Sequence, residues 1–296
     1  MAVEIANPWH GILVAAALPL RDDLSVDFDA FGEHVSFLAA GGCHGIVPNG
    51  SLGEYQTLTA EERARVVRTA VAAAPEGFSV VPGVAAYGAL EARRWAEQAA
   101  QAGCPAVMLL PPNAYRADLE AALAHYREVA KVGLPIVAYN NPIDTKVDLT
   151  PNVLARLHEE GLIVAVKEFT GDVRRGYEIA ELAPDLDVLV GSDDVVLELA
   201  MAGARGWIAG VPNALPAECA ALWSAATSAD PASAVPGYRR LHPLLRWDSK
   251  VEFVQAIKLA MDLAGRPGGR CRPPRLPLTD EQDAAVRLAT AYAMEG

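Results

Sequence analysis

Lys167 closes the apolar run Val164-Ala-Val-Lys167-Glu168, and it is the only one of the chain's five lysines to do so. Lys131, Lys146, Lys250 and Lys258 fall in helix- or loop-patterned segments. An ammonium buried at a strand end without a partner costs several kcal/mol, so such a lysine tends toward the neutral amine. A neutral amine is a nucleophile that condenses with carbonyls. The competing assignment is a structural lysine paired with a barrel carboxylate, and position alone does not separate the two.

A second apolar run, Val137-Ala-Tyr139-Asn140, precedes it. Side chains alternate along a strand, so Tyr139 and Lys167 would project into one cavity from neighbouring strand ends if both face inward. A phenol beside a carbinolamine is placed to shuttle its protons; alone, Tyr139 would be read as packing. Pro48-Asn-Gly50-Ser51-Leu52-Gly53-Glu54 sets glycines around a hydroxyl just ahead of a capped helix. Free backbone N–H groups in such a turn hold an anion, and a carboxylate fits as well as a phosphate. No P-loop lysine follows, which disfavours a nucleotide. Gly191-Ser192-Asp193-Asp194 ends a further run; its acids read as a helix N-cap rather than as metal ligands, since no histidine sits at a strand end to join them. No metal is expected.

These residues need a scaffold that gathers strand ends. Short apolar runs recur at 12–18, 45–48, 78–84, 106–110, 135–139, 163–166, 188–190 and 206–209. Most are continuously hydrophobic, as expected of strands covered on both faces. Helix-patterned segments separate them, at 27–40, 59–74, 89–101, 119–132, 151–160, 174–182, 195–201 and 216–227. Thr59-Ala-Glu-Glu62 has the form of a capping box. Strict alternation of strand and helix implies a parallel sheet with right-handed crossovers, and eight units match a (β/α)8 TIM barrel. A doubly wound open sheet is the alternative, but Leu18-Pro-Leu-Arg-Asp-Asp23 is not the Gly-rich turn it would show. Residues 1–227 are assigned to the barrel and 228–296 to a C-terminal helical extension with helices at 237–246, 249–264 and 280–293. The Pro/Gly-rich connection 265–277, with four arginines, reads as a solvated loop draped over the barrel.

Composition excludes several functions. A net charge of −12 leaves no general electrostatic route to nucleic acid or anionic lipid. The apolar runs are too short to span a bilayer, and no basic stretch precedes the first one, so neither a membrane segment nor a secretory leader is expected. Cys43, Cys104, Cys219 and Cys271 form no CxxC pair and read as reduced thiols of a cytoplasmic protein.

Gly45-Ile-Val-Pro-Asn-Gly-Ser-Leu-Gly-Glu54, then Tyr139-Asn-Asn-Pro142, then Val164-Ala-Val-Lys167-Glu168 together resemble the two linked signatures of the N-acetylneuraminate lyase and dihydrodipicolinate synthase family. The resemblance covers essentially the whole chain. It implies a Schiff base between Lys167 and pyruvate or a related 2-oxo acid, a proton relay through Tyr139, and a carboxylate hold at Ser51 and the backbone around Leu52. It also implies a homotetramer and no dissociable organic cofactor. Gly50, Asn113, Tyr115, Asp144, Gly191, Ser192 and Ile208 are expected to complete the substrate site. Several positions depart from the pattern. Leu52 fills a position usually small or hydroxylated. Asn113 stands where the synthases carry a tyrosine, with Tyr115 as a substitute. Asp144 lies where they carry an arginine, and it would repel the carboxylate of aspartate semialdehyde. Arg270-Cys-Arg-Pro-Pro-Arg-Leu-Pro277 and the Tyr-Asn-Asn-Pro run look most similar to the hydroxyproline-pathway branch, which deaminates a hydroxylated pyrroline carboxylate. Leu52 and Asn113 also leave open a non-catalytic barrel that binds 2-oxo acids.

Overall fold

The computed structural model describes residues 7–113 and 115–295. The reading of the N-terminus rests partly on residues 1–6, which lie outside them. The strands are β1 (Gly11–Ala15), β2 (Gly45–Val47), β3 (Ser79–Val80), β4 (Val107–Leu109), β5 (Ile136–Asn140), β6 (Ala165–Glu168), β7 (Asp187–Val190) and β8 (Gly206–Ala209). All pair in parallel in the order β3-β2-β1-β8-β7-β6-β5-β4. A parallel bridge between Gly83 and Met108 joins the two ends of that order. The result is the (β/α)8 TIM barrel read from the alternation, with a core of strand side chains such as Ile12, Val14, Ile46, Val137, Val166 and Ile208.

The helices are α1 (Phe28–Ala40), α2 (Ala60–Ala73), α3 (Ala89–Gln101), α4 (Leu119–Ala130), α5 (Pro142–Thr145), α6 (Pro151–Glu159), α7 (Arg174–Leu182), α8 (Val196–Met201), α9 (Pro216–Ala226), α10 (Val235–Leu245), α11 (Phe253–Leu263) and α12 (Asp280–Met294). Asp27 caps α1 through the amide of Ala30, and Thr59 with Glu62 forms the anticipated box on α2. The single-turn α5 has no apolar period long enough to be read. It exists because Asn141 caps it and Pro142 presets its first turn. Among the described residues no helix is long and apolar enough to cross a membrane.

The C-terminal helices are tied to the barrel by charge as well as by packing. Lys258 on α11 donates to Glu54 at 2.7 Å, and both side chains are 1% exposed. Lys258 also donates to the carbonyl of Arg270, while the amide of Arg272 donates to the other oxygen of Glu54. Arg272 in turn grips Glu62 at 2.6 Å. The 265–277 connection is thus the largely exposed loop expected, and it is also pinned to the barrel at Arg270 and Arg272. A buried carboxylate needs several donors, and this segment supplies them.

Losing one member of that pair leaves a buried charge unmatched. Lys258→Met should lower the unfolding free energy by about 3–5 kcal/mol in chemical denaturation. The interior also holds His34 on α1, fully buried, with its Nε2 2.9 Å from Asn213 Oδ1. Burial pushes this imidazole down to about 4. A depressed pKa means that the stability is present above the unfolded value of about 6.5 and is lost as pH falls through the folded one. The denaturation midpoint should therefore drop between about pH 6.5 and pH 4. A His34→Gln variant should show a shallower drop.

Candidate active site

Parallel register fixes the centre of the site. Tyr139 on β5 and Lys167 on β6 are direct Cα partners, as are Asn140 and Glu168 one residue on. Alternation then sorts the pairs. Asn140 and Glu168 turn away from the barrel interior, where the Asn140 amide donates to Glu168 Oε2 at 2.9 Å. Tyr139 and Lys167 turn inward, and the Lys167 Nζ lies 4.4 Å from the centre of the Tyr139 ring. Phe169 adds a second ring, 5.5 Å from the same nitrogen and edge-on to Tyr139. Lys167 and Tyr139 are nearly excluded from solvent, at 5% and 4% exposure.

These side chains open into a cavity of about 620 Å³, which also receives Gly50, Ser51, Leu52, Asn113 and Asp144. Burial drives the Lys167 ammonium below its usual range, and Asp248 and Asp193 oppose that shift. Burial likewise lifts the Tyr139 phenol, which accepts a hydrogen bond from the Asn141 amide at 3.2 Å. A lysine whose charge is costly beside a phenol that holds its proton can carry carbonyl condensation and its proton transfers.

The turn opposite is strained into shape. Asn49 and Glu54 both have left-handed backbones, at φ of 57° and 53°. Gly53 must lack a side chain, because a Cβ there would lie 2.9 Å from the Ala16 carbonyl. Among the described residues the amides of Ser51, Leu52 and Gly53 donate to no backbone carbonyl. The turn therefore presents N–H groups that an anion can take up. The Leu52 side chain packs into the core at 2% exposure, so its bulk does not obstruct the turn.

Four expected residues sit elsewhere. Ile208 is a core residue of β8, paired in register with Leu13. Gly191 backs the lysine: a Cβ there would meet the Glu168 carbonyl at 2.5 Å and Lys167 Cγ at 3.0 Å. Ser192 bonds to Asp194 and to Ser249 rather than lining the cavity. Tyr115 is 59% exposed and does not line it either. The N-cap reading of the neighbouring acids also needs correction. Asp193 accepts from Trp207 Nε1 at 2.8 Å and from the amides of Gly210 and Val211 at 3.0 and 2.9 Å. Being buried, it takes donors from the end of β8 instead of capping its own helix.

Three residues of the cavity wall were missed. Tyr55 follows the anion turn, and it lines the cavity together with Asn113. Arg63 on α2 lies 4.2 Å from the Trp95 ring, its guanidinium committed to the carbonyls of Ala85 and Gly83. Burial lowers it to about 10. An arginine on the apolar face shared with Val66, Val67 and Ala70 was the available signal. Asp248, between α10 and α11, is 6% exposed and also lines the cavity.

Comparison with known proteins agrees with this geometry. A profile of the Dihydrodipicolinate synthetase family matches residues 8–291. This chain belongs to that family. A 4-hydroxy-tetrahydrodipicolinate synthase from Methanothrix thermoacetophila is 34% identical over 282 residues, covering 94% of this chain and 95% of the relative. A solved dihydrodipicolinate synthase superposes with a TM-score of 0.91 at 29% identity, over 96% of this chain and 98% of its own. A prophage protein of the dihydrodipicolinic acid synthase family from E. coli K12, solved with pyruvate, does so with a TM-score of 0.89 at 26% identity, over 96% and 98%. The chain is thus a class I lysine Schiff-base lyase or aldolase, acting on pyruvate-type substrates.

The backing of Lys167 by Gly191 gives a direct test. Gly191→Ala should leave the fold assembled, as read by circular dichroism. It should displace the lysine and cut turnover by about 10²-fold, the cost of a misplaced reacting group.

Proposed function

We propose that Lys167 is the Schiff-base lysine and that its substrate is pyruvate or a related small 2-oxo acid. The observation that carries this is the buried amine at the end of β6, beside Tyr139 and facing the free amides of the Gly50–Glu54 turn across one cavity. The pyruvate complex of the E. coli relative supports the substrate class. In this reading the carboxylate rests on Ser51 and the amides around Leu52, and the Lys167 amine attacks the keto carbon. Tyr139 moves the proton that turns the carbinolamine hydroxyl into water. The resulting iminium withdraws electrons from the adjacent carbon, which lets a C–C bond form or break there.

The second reactant is marked by Asp144. Its carboxylate sits at the cavity beside Asn141, whose amide donates to it at 2.8 Å. Arg63 donates to backbone carbonyls, while Lys250 and Arg275 line the same cavity. An approaching carboxylate meets repulsion at Asp144, so condensation with aspartate semialdehyde is disfavoured. A second reading, deamination of a hydroxylated pyrroline carboxylate, draws on the same feature and on the Arg270–Pro277 segment. There Lys167 attacks the cyclic imine carbon and displaces the ring nitrogen from it, the ring hydroxyl leaves as water, and hydrolysis of the resulting imine at the far carbon releases the nitrogen as ammonia, with net uptake of one water once the Schiff base is hydrolysed. Family membership supports a cytoplasmic homotetramer without a dissociable cofactor, and sedimentation would measure the assembly.

Borohydride reduction in the presence of pyruvate should add the mass of the reduced adduct to the peptide containing Lys167, and Lys167→Ala should abolish it. An adduct that survives Lys167→Ala overturns the assignment. A substrate panel reading aldol cleavage, semialdehyde condensation and ammonia release then separates the reactions. Vigorous condensation with aspartate semialdehyde would refute the role given to Asp144.

A further inference from the structure

Two carboxyl groups lie beneath the lysine, and they are not equivalent. Asp193 has its oxygens taken by the Trp207 indole and the amides of Gly210 and Val211. Asp248 shares its neighbourhood across Gly210, where a Cβ would lie 2.5 Å from Asp248 Oδ1 and 3.5 Å from Asp193 Oδ2. Among the described residues no other side chain forms a hydrogen bond with the Asp248 carboxyl, although the group is 94% buried by its 6% exposure. It faces the cavity that holds Lys167. Its position is held from the next residue. Ser249 donates to Asp194 at 2.9 Å and meets Ser192 at 2.8 Å, fastening the α10–α11 turn to the end of β7.

We propose that Asp248 is a catalytic acid–base residue of the lysine site, exchanging a proton with Lys167 and with the carbinolamine hydroxyl. The proposal rests on the Schiff-base reading above. The Asp248 carboxylate accepts a proton from the Lys167 ammonium and leaves a neutral amine. The amine attacks the keto carbon, and the N–H proton moves to the oxygen as the carbinolamine forms. The Asp248 carboxylic acid then gives its proton to the carbinolamine hydroxyl as the C–O bond breaks. Water leaves, the C=N bond of the iminium forms, and the Asp248 carboxylate remains as its counter-charge. Tyr139 relays that proton from Asp248 to the hydroxyl, giving one as it takes one, and then serves the carbon chemistry that follows.

The groups around Asp248 favour this exchange. Lys167 on β6 and Tyr139 on β5 line the same cavity, Asp193 lies across Gly210, and Asp194 is tied to the neighbouring Ser249. Burial and the Asp193 charge hold the Asp248 proton more tightly than a free carboxyl would, while Lys167 opposes that shift. The two stand apart rather than in a direct ion pair, and the reactive state is the one in which a single proton serves both, passed across the cavity they line.

The rate of borohydride-trapped pyruvate adduct formation tests this in wild type, Asp248→Asn and Asp248→Ala. Both variants should fold, since neither breaks a hydrogen-bonded ion pair, and melting temperature checks that. Each should form the adduct about 10²-fold more slowly, with pyruvate half-saturation little changed. The alkaline limb of the rate profile, where wild type loses the shared proton, should vanish. Formate should restore part of the rate to Asp248→Ala and none to wild type. A wild-type adduct rate and pH profile in Asp248→Asn would overturn the acid–base role and leave Lys167 in place. No adduct in wild type would overturn both readings.

Discussion

The rest of the site follows from the loss of water around one ammonium group. Lys167 ends β6 inside a closed barrel, where its charge is costly and its hydration cannot be kept. A salt bridge in direct contact would restore the charge and silence the amine. Instead the lysine is given aromatic faces from Tyr139 and Phe169, with carboxyls set further back. Gly191 completes the arrangement by offering a wall with no side chain, so the lysine stem lies flat against the strand end. The amine is kept poised between its two protonation states by distance, not by a bond.

The opposite wall depends on charge in the reverse sense. Glu54 is as buried as the lysine it meets, and it is fully paired by Lys258 and the amide of Arg272. That pairing lets the turn keep left-handed backbones at Asn49 and Glu54 and leave the Ser51 and Leu52 amides without backbone acceptors at the cavity wall. Strain of this kind persists only where the surroundings over-determine it, and the C-terminal helices supply the surroundings. The extension thus closes one side of the active site through Glu54 and the other through Asp248.

Much of this was legible in the sequence. Lys167, Tyr139 and the Gly50–Ser51–Leu52 turn were readable because each ends an apolar run, and a barrel puts its chemistry at strand ends. Gly191 and Ser192 were placed at the right strand end, but their work is to support Lys167 and Ser249 rather than to line the cavity. Ile208 lies near the end of β8 as read, with its side chain packed in the core. Asp248 was not legible: it falls between the segments read as helices at 237–246 and 249–264, and only the folding-back of α10 and α11 buries it. Arg63 was hidden by its helix, whose charged residues otherwise face water.

The Lys258–Glu54 pair joins positions 204 residues apart. A ribosome delivers the anion turn early and its counter-charge late. Until α11 emerges, Glu54 carries an unmatched charge that belongs in water, so the turn cannot settle into its strained form. The nascent barrel therefore exposes an immature mouth for most of its synthesis, and the last helices act as the step that switches it to its working shape.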